Sequence, residues 1–200
     1  MISLTDNAPA LSRREAVKTL LAKRDNTLVV TGLGSPSYDV HAAGDRDDNY
    51  YLWGAMGGAA LVGLGLAQAQ PTKTVLVITG DGEQLMAFGS LATIAVAKPR
   101  NLVVVVVDNG HFGETGMQTS HTGHGLNLDE VAASCGFVRT ATFTRIDEVE
   151  QLGQEVAVKT EGPRLFVIKV AAENPSRSLP PRDAIFIKNR FRASLGLAPT

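Results

Sequence analysis

The chain holds a single cysteine, Cys135, among 200 residues. That excludes a disulfide within the chain and a zinc cluster built from cysteines, and it suits a reducing compartment. Charge of one sign is also missing: 19 basic side chains against 20 acidic ones leave a formal net charge of -1, so no basic surface invites nucleic acid or an anionic membrane. The longest apolar run, Leu102 to Val107, falls far short of the ~20 residues of a membrane span. Met1 to Ala10 lacks the basic and apolar regions of a secretory signal. These absences describe a soluble cytoplasmic protein. What is plentiful is apolar surface for a core, at 44% of residues, together with 20 glycines.

Apolar runs bounded by glycine and polar residues alternate with helical stretches. Arg13 to Arg24 reads as a helix, with Ser12 as cap and Glu15 completing a capping box. Thr27 to Thr31, Val75 to Thr79, Leu102 to Val107, Val138 to Thr144 and Arg164 to Val170 read as strands. Between them a helix begins at Pro36, with Ser35 as its cap, and others cover Leu85 to Lys98, Leu128 to Cys135 and Ile146 to Lys159. Asp45 to Asn49 and residues 110–125 read as loops. Met56 to Ala69 is dense in glycine, which weakens a helix by about 1 kcal/mol per site, so close packing against a sheet or ligand is expected there. The pattern predicts an α/β fold: three αβα layers around a mostly parallel sheet, as one domain over 1–200, with residues 173–200 as a C-terminal arm carrying a helical turn near Phe186 to Ser194.

Ligands of such sheets bind beyond the carboxyl ends of the strands. Three of those ends are unusual: Gly32-Leu33-Gly34-Ser35, Gly80-Asp81-Gly82-Glu83 and Asp108-Asn109-Gly110-His111. Glycines flanking Asp81 let the backbone approach a ligand, and a carboxylate beside a phosphate requires a cation between them. Asp81 therefore suits Mg²⁺ or Ca²⁺, with Asn109 adding a neutral oxygen and phosphate oxygens filling the octahedron. Taken alone, Gly80-Asp81-Gly82 is equally an ordinary turn with a capping Asp, and Met56 reads more readily as a core residue.

The segment GDGEQLMAFGSLATIAVAKPRNLVVVVVDN resembles the signature of thiamine-diphosphate enzymes: Gly-Asp-Gly, a helix, a strand, then Asn. Asp108 stands where many members carry a first Asn; the second position, the metal ligand in the family, is Asn109 here. Gly54-Ala55-Met56-Gly57 resembles the family's Gly-x-Met-Gly segment. The resemblance covers about Thr27 to Gly123 and implies a pyrophosphate-binding domain holding thiamine diphosphate and Mg²⁺. It implies metal ligation by Asp81, Asn109 and the carbonyl of His111. Met56 would prop the cofactor into its bent form, and the Gly54 carbonyl would take its amino group. Ser35, Gly80, Gly82, Glu83 and Gly113 would complete the cradle.

The glutamate that activates the cofactor comes, in the family, from a separate pyrimidine-binding domain. Neither Glu83 nor Glu114 is placed for that role, so an α-type partner subunit in a hetero-oligomer is implied. The stretch from Asp108 through Thr115-Gly116-Met117-Gln118 resembles that of sulfopyruvate and phosphonopyruvate decarboxylases, as does Thr31-Gly32…Ser35-Pro36-Ser37. That implies decarboxylation of a small anionic 2-oxo acid. His111 and His121 are the candidates for proton transfer, with His124, Gln118, Thr119, Arg177 and Arg182 as further substrate contacts. Two alternatives remain at this stage: another thiamine carboligase or oxidoreductase subunit, and a non-catalytic scaffold. A dinucleotide fold is disfavoured because Ser37 replaces the third glycine of G-x-G-x-x-G.

Overall fold

The computed structural model describes residues 10–199. In chain order they form α1 (Arg13–Leu21), β1 (Leu28–Thr31), α2 (Ser35–Ala43), β2 (Asn49–Tyr51), α3 (Ala59–Ala69), β3 (Val75–Gly80), α4 (Asp81–Met86), α5 (Ser90–Ala97), β4 (Leu102–Asp108), β5 (His111–Phe112), β6 (Gln118–Thr119), α6 (Leu128–Cys135), β7 (Arg139–Phe143), α7 (Ile146–Glu155), β8 (Arg164–Lys169) and α8 (Ala184–Ser194). Six strands make one sheet in the order β2-β1-β3-β4-β8-β7, and every pairing is parallel. β5 and β6 form a separate antiparallel hairpin. No described helix is long and apolar enough to cross a membrane.

A parallel sheet needs cover on both faces, so its inner strands are apolar on both sides. β4 is buried at all seven positions. Its even-numbered residues Val104 and Val106 pack with α3, α5 and α6, through Ala60, Leu64, Leu91, Ile94 and Ala132. Its odd-numbered Val103 and Val105 pack with α1, α2 and α7, through Val17, Leu20, Val40, Val149 and Leu152. Of the two glycines of α3, Gly63 has the expected cause: its Cβ would lie 2.2 Å from Val77 Cγ2, so the helix rests directly on β3 there, whereas a Cβ on Gly65 would meet nothing within 4 Å.

Four local expectations are corrected. Ser12 does not cap α1 with its side chain; its hydroxyl donates to Glu173 Oε1 at 2.9 Å, and the same oxygen accepts the Arg13 N–H at 3.2 Å. The cap thus comes from the C-terminal arm, 160 residues away. Ser35 is the first residue of α2 and Gly34 its cap. The helix placed over Leu85 to Lys98 is two helices, α4 and α5, with Ala87 to Gly89 between them. Gln84 spans that break, its Nε2 donating to Ser90 Oγ at 3.2 Å. Asn49, placed in a loop, opens edge strand β2, because the Arg24 guanidinium satisfies both Asn49 and Asp48. α8 then covers that edge, with Phe191 edge-on to Tyr50 at 5.5 Å between ring centres.

Candidate active site

The parallel register brings the carboxyl ends of β1, β3 and β4 side by side, Thr31 beside Ile78 and Gly80 beside Val107. A cavity of about 170 Å³ opens there. Of the residues singled out from the sequence, Ser35, Met56, Gly80, Asp81, Gly82, Glu83, Asn109, His111, Gly113 and Glu114 line it. Gly54 and His121 are outside the lining. Gly54 is exposed with φ +72°, and His121 is exposed with its ring edge-on to Phe112. His124, Gln118 and Thr119 are exposed as well. Met56 is 38% exposed at the cavity mouth, which removes the reading of it as a core residue.

Asp81 begins α4 and is 2% exposed. Its Oδ2 accepts from Ser120 Oγ at 2.5 Å and lies 3.1 Å from Thr122 Oγ1. Thr122 Oγ1 also lies 2.7 Å from Asp108 Oδ1, and one hydroxyl proton serves only one carboxylate at a time. Asp108 is held further by Lys169 Nζ at 2.6 Å and the Gly110 N–H at 2.9 Å. This network pins the 110–125 loop to the strand ends. Burial raises the Asp81 carboxyl above its ordinary value, the Asp108 charge adds to the rise, and the Ser120 and Thr122 hydroxyls oppose it. A cation at Asp81 would reverse that balance.

Asn109 and His111 form a tight turn. Asn109 Oδ1 accepts the His111 N–H at 3.0 Å, keeping a second lone pair. His111 Nδ1 lies 2.8 Å from the Asn109 carbonyl, which only accepts, so Nδ1 carries the proton and Nε2 of the neutral ring is the acceptor. Among the described residues no three His, Cys, Asp or Glu side chains converge as a metal site. One carboxylate, one amide and one carbonyl is instead the oxygen set that Mg²⁺ takes when phosphates and water fill the rest.

Glu83, 4% exposed, knits the cradle together. Its carboxylate accepts from Thr79 Oγ1 at 3.0 Å and from the Gly57 N–H at 3.3 Å. Burial raises its carboxyl, and those donors oppose the rise. A Cβ on Gly32 would stand 1.5 Å from Glu83 Oε2, so that strand end must be glycine. Ser37, which removed the dinucleotide pattern, donates to the Gly32 carbonyl at 2.6 Å and shapes the same turn.

The arm reaches the cavity rim. Arg177 pairs with Glu114 at 3.1 Å and lies over the Tyr38 ring; Arg182 lies over Trp53, whose Nε1–H donates to the Pro181 carbonyl at 2.8 Å. Sequence reasoning missed Ser120, Thr122 and Lys169, because hydroxyls and a lysine carry no spacing signal of their own.

The chain matches the family described as "Thiamine pyrophosphate enzyme, C-terminal TPP binding domain" over residues 37–170. It belongs to that family. Its cofactor is accordingly thiamine diphosphate. Sulfopyruvate decarboxylase subunit beta of Methanocaldococcus jannaschii is 36% identical over 174 residues, 86% of this chain and 89% of that protein. Phosphonopyruvate decarboxylase of Streptomyces viridochromogenes is 39% identical over 161 residues, 80% of this chain but 40% of that protein. Benzoylformate decarboxylase of Polynucleobacter necessarius shares the fold, with a TM-score of 0.69 at 18% identity over 88% of this chain and 36% of that one. The chain thus spans most of a beta subunit and less than half of the single-chain enzymes.

Proposed function

We propose that this chain is the β-type subunit of a thiamine-diphosphate-dependent decarboxylase whose substrate is a 2-oxo acid bearing a second anionic group, of the sulfopyruvate or phosphonopyruvate kind. The observation that carries the reading is the buried Asp81 carboxylate, fixed through Oδ2 by Ser120, in one cavity with Asn109 and His111. A scaffold has no use for that arrangement.

In this reading Asp81, the Asn109 side chain and the His111 carbonyl would hold Mg²⁺, which would neutralise the diphosphate charge. When bound, thiamine diphosphate supplies the nucleophilic carbon and the electron sink for loss of CO₂. The chain's own residues orient and tune. Met56, at the cavity mouth, would prop the cofactor into its bent form, and the Gly54 carbonyl, outside the lining, would take its amino group. Glu83 keeps the β1, β3 and α3 turns in register. His111, with Nδ1 committed to Asn109, accepts or returns a proton at Nε2, and we favour it over the outlying His121. The activating glutamate comes from a pyrimidine-binding partner. Subunit naming among the relatives supports that partner.

The test is calorimetric titration of thiamine diphosphate with and without Mg²⁺, on the chain alone and with its partner, followed by CO₂ release from sulfopyruvate, phosphonopyruvate and pyruvate. The expected result is Mg²⁺-dependent binding, tight only with the partner, and lost by at least about 100-fold in Asp81→Ala, as for removal of a charged ligand from a buried site. Binding that ignores Mg²⁺, or an Asp81→Ala complex with full activity, overturns the reading.

A further inference from the structure

Two buried carboxylates meet at the strand ends, and only one of them has a cation. Asp81 and Asp108 are each 2% exposed. One hydroxyl joins them: Thr122 Oγ1 lies 3.1 Å from Asp81 Oδ2 and 2.7 Å from Asp108 Oδ1. Lys169 Nζ sits on Asp108 Oδ2 at 2.6 Å. Among the described residues the ion pairs reach Asp108 and not Asp81, whose Oδ2 meets the hydroxyls of Ser120 and Thr122.

The sheet places that lysine. Lys169 ends β8 and is the register partner of Asp108 across the parallel pair, so both side chains leave the sheet on one face. Asp81 lines the cavity, whereas Asp108, Thr122 and Lys169 stand behind the lining. The other charged side chains of the lining have partners of their own. Arg13 stands 3.4 Å from Asp39, Glu114 pairs with Arg177 at 3.1 Å, and Glu83 takes Thr79 Oγ1 and the Gly57 N–H.

Charge counting shows what the lysine changes. Asp81, Asp108 and Lys169 together carry a single net negative charge. Mg²⁺ brings two positive charges, so the cluster alone leaves the ion half neutralised in a buried place, and an anionic ligand must supply the rest. Without Lys169 the two carboxylates would match the ion by themselves. The metal would then be held by protein charge whether or not a diphosphate had arrived.

We infer that Lys169 is a positioning residue that acts as an internal counter-cation: it denies Asp108 to the metal and makes Mg²⁺ binding depend on the diphosphate. The inference rests on the metal placement proposed above. Lys169 acts here through Asp108, by charge and without contact to metal or cofactor.

The experiment titrates Mg²⁺ by calorimetry into the full chain with its partner subunit, first without and then with saturating thiamine diphosphate. Wild type is expected to bind Mg²⁺ weakly alone and far more tightly with the diphosphate. Lys169→Met is expected to raise the cofactor-free affinity roughly 10-fold, the order for removing a unit charge near a buried site, and to shrink the gain that the diphosphate brings. A damaged fold would not raise it. The double variant Asp108→Asn with Lys169→Met restores the single net charge and should return to the wild-type value. Asp108→Asn alone keeps the lysine and should lower the cofactor-free affinity by roughly 10-fold, which preserves the test if Lys169→Met fails to fold. An unchanged or weaker cofactor-free affinity in Lys169→Met marks a merely structural lysine and overturns the inference, as does a double variant that follows Lys169→Met rather than wild type. Mg²⁺ binding in wild type that ignores the diphosphate sinks the metal placement itself, a distinct result.

Discussion

Alanine at Gly32 tests how the cradle is held. Gly32 does not have a positive φ, so backbone strain is not at issue. The added Cβ would sit 1.5 Å from Glu83 Oε2 and 2.5 Å from Cδ, an overlap that only movement of the carboxylate relieves. A free surface glutamate would swing aside at little cost. This one is 4% exposed and accepts from Thr79 Oγ1 and the Gly57 N–H, so moving it breaks both contacts in a buried place. Hydrogen bonds to a charged group contribute about 1.5–3 kcal/mol each, and partial relaxation brings two of them to a loss of roughly 3 kcal/mol. With a urea slope of about 2 kcal/mol/M, the midpoint should fall by about 1.5 M. The decisive arm is a double-mutant cycle by circular dichroism on the cofactor-free chain. In a Glu83→Ala background the clash is gone, and Gly32→Ala should then cost under about 1 kcal/mol, a coupling of at least about 2 kcal/mol. Additive costs would refute the reasoning, since they would place the damage in the backbone rather than in Glu83.

Other outcomes follow from the same geometry. Trp53 is the one tryptophan, and its bond to the Pro181 carbonyl makes its fluorescence a reporter of arm docking; Trp53→Phe should lose about 1 kcal/mol and expose residues 173–183 to limited proteolysis, and an unchanged digestion pattern counts against this. Arg164 is 1% exposed and donates to the Glu155 and Val156 carbonyls at the end of α7, at 2.9 Å each; Arg164→Met should cost about 1–3 kcal/mol by leaving the Val156 carbonyl without a donor, the Glu155 carbonyl keeping the Val158 N–H at 3.0 Å, measured by denaturant titration. Asp39 has its carboxyl raised by burial from an ordinary value of 3.8, so its share of stability is fully present below that value and lost as pH rises through the raised one. Stability of the chain should accordingly fall as pH climbs above about 4 by that share, and Asp39→Asn should flatten the slope; an unchanged slope would show that other groups carry it.

Much of the fold was legible because burial on both faces leaves a plain mark. Leu102 to Val107 reads as an interior strand on composition alone, and Gly63 of α3 marks the close approach found at Val77. The meeting of Asp81, Asn109 and His111 at one cavity was legible as well, since they stand at strand ends that a parallel sheet brings to one edge. Local signals failed where the partner is remote. The cap of α1 is Glu173, so no reading of Ser12 and Glu15 finds it. Edge strand β2 is hidden because Asp48 and Asn49 look like loop until Arg24 answers them. The break between α4 and α5 has a glycine beside it, yet Gly65 sits inside α3 without breaking that helix, so glycine alone does not announce a break.

The sequence by itself determined the layer architecture, the strand ends that meet, and the residue types able to hold a diphosphate and a divalent cation. Periodicity and local chain stiffness act within a few residues and survive in the order of amino acids. Tertiary structure alone decided the rest: that Ser120 and Thr122 fix Asp81, that Lys169 fixes Asp108, that the arm caps α1 and pairs with Glu114, and that Arg13 reaches the cavity from the far layer. Those contacts join residues tens of positions apart or more, and they depend on distances set only when the sheet closes its two helical layers around one edge.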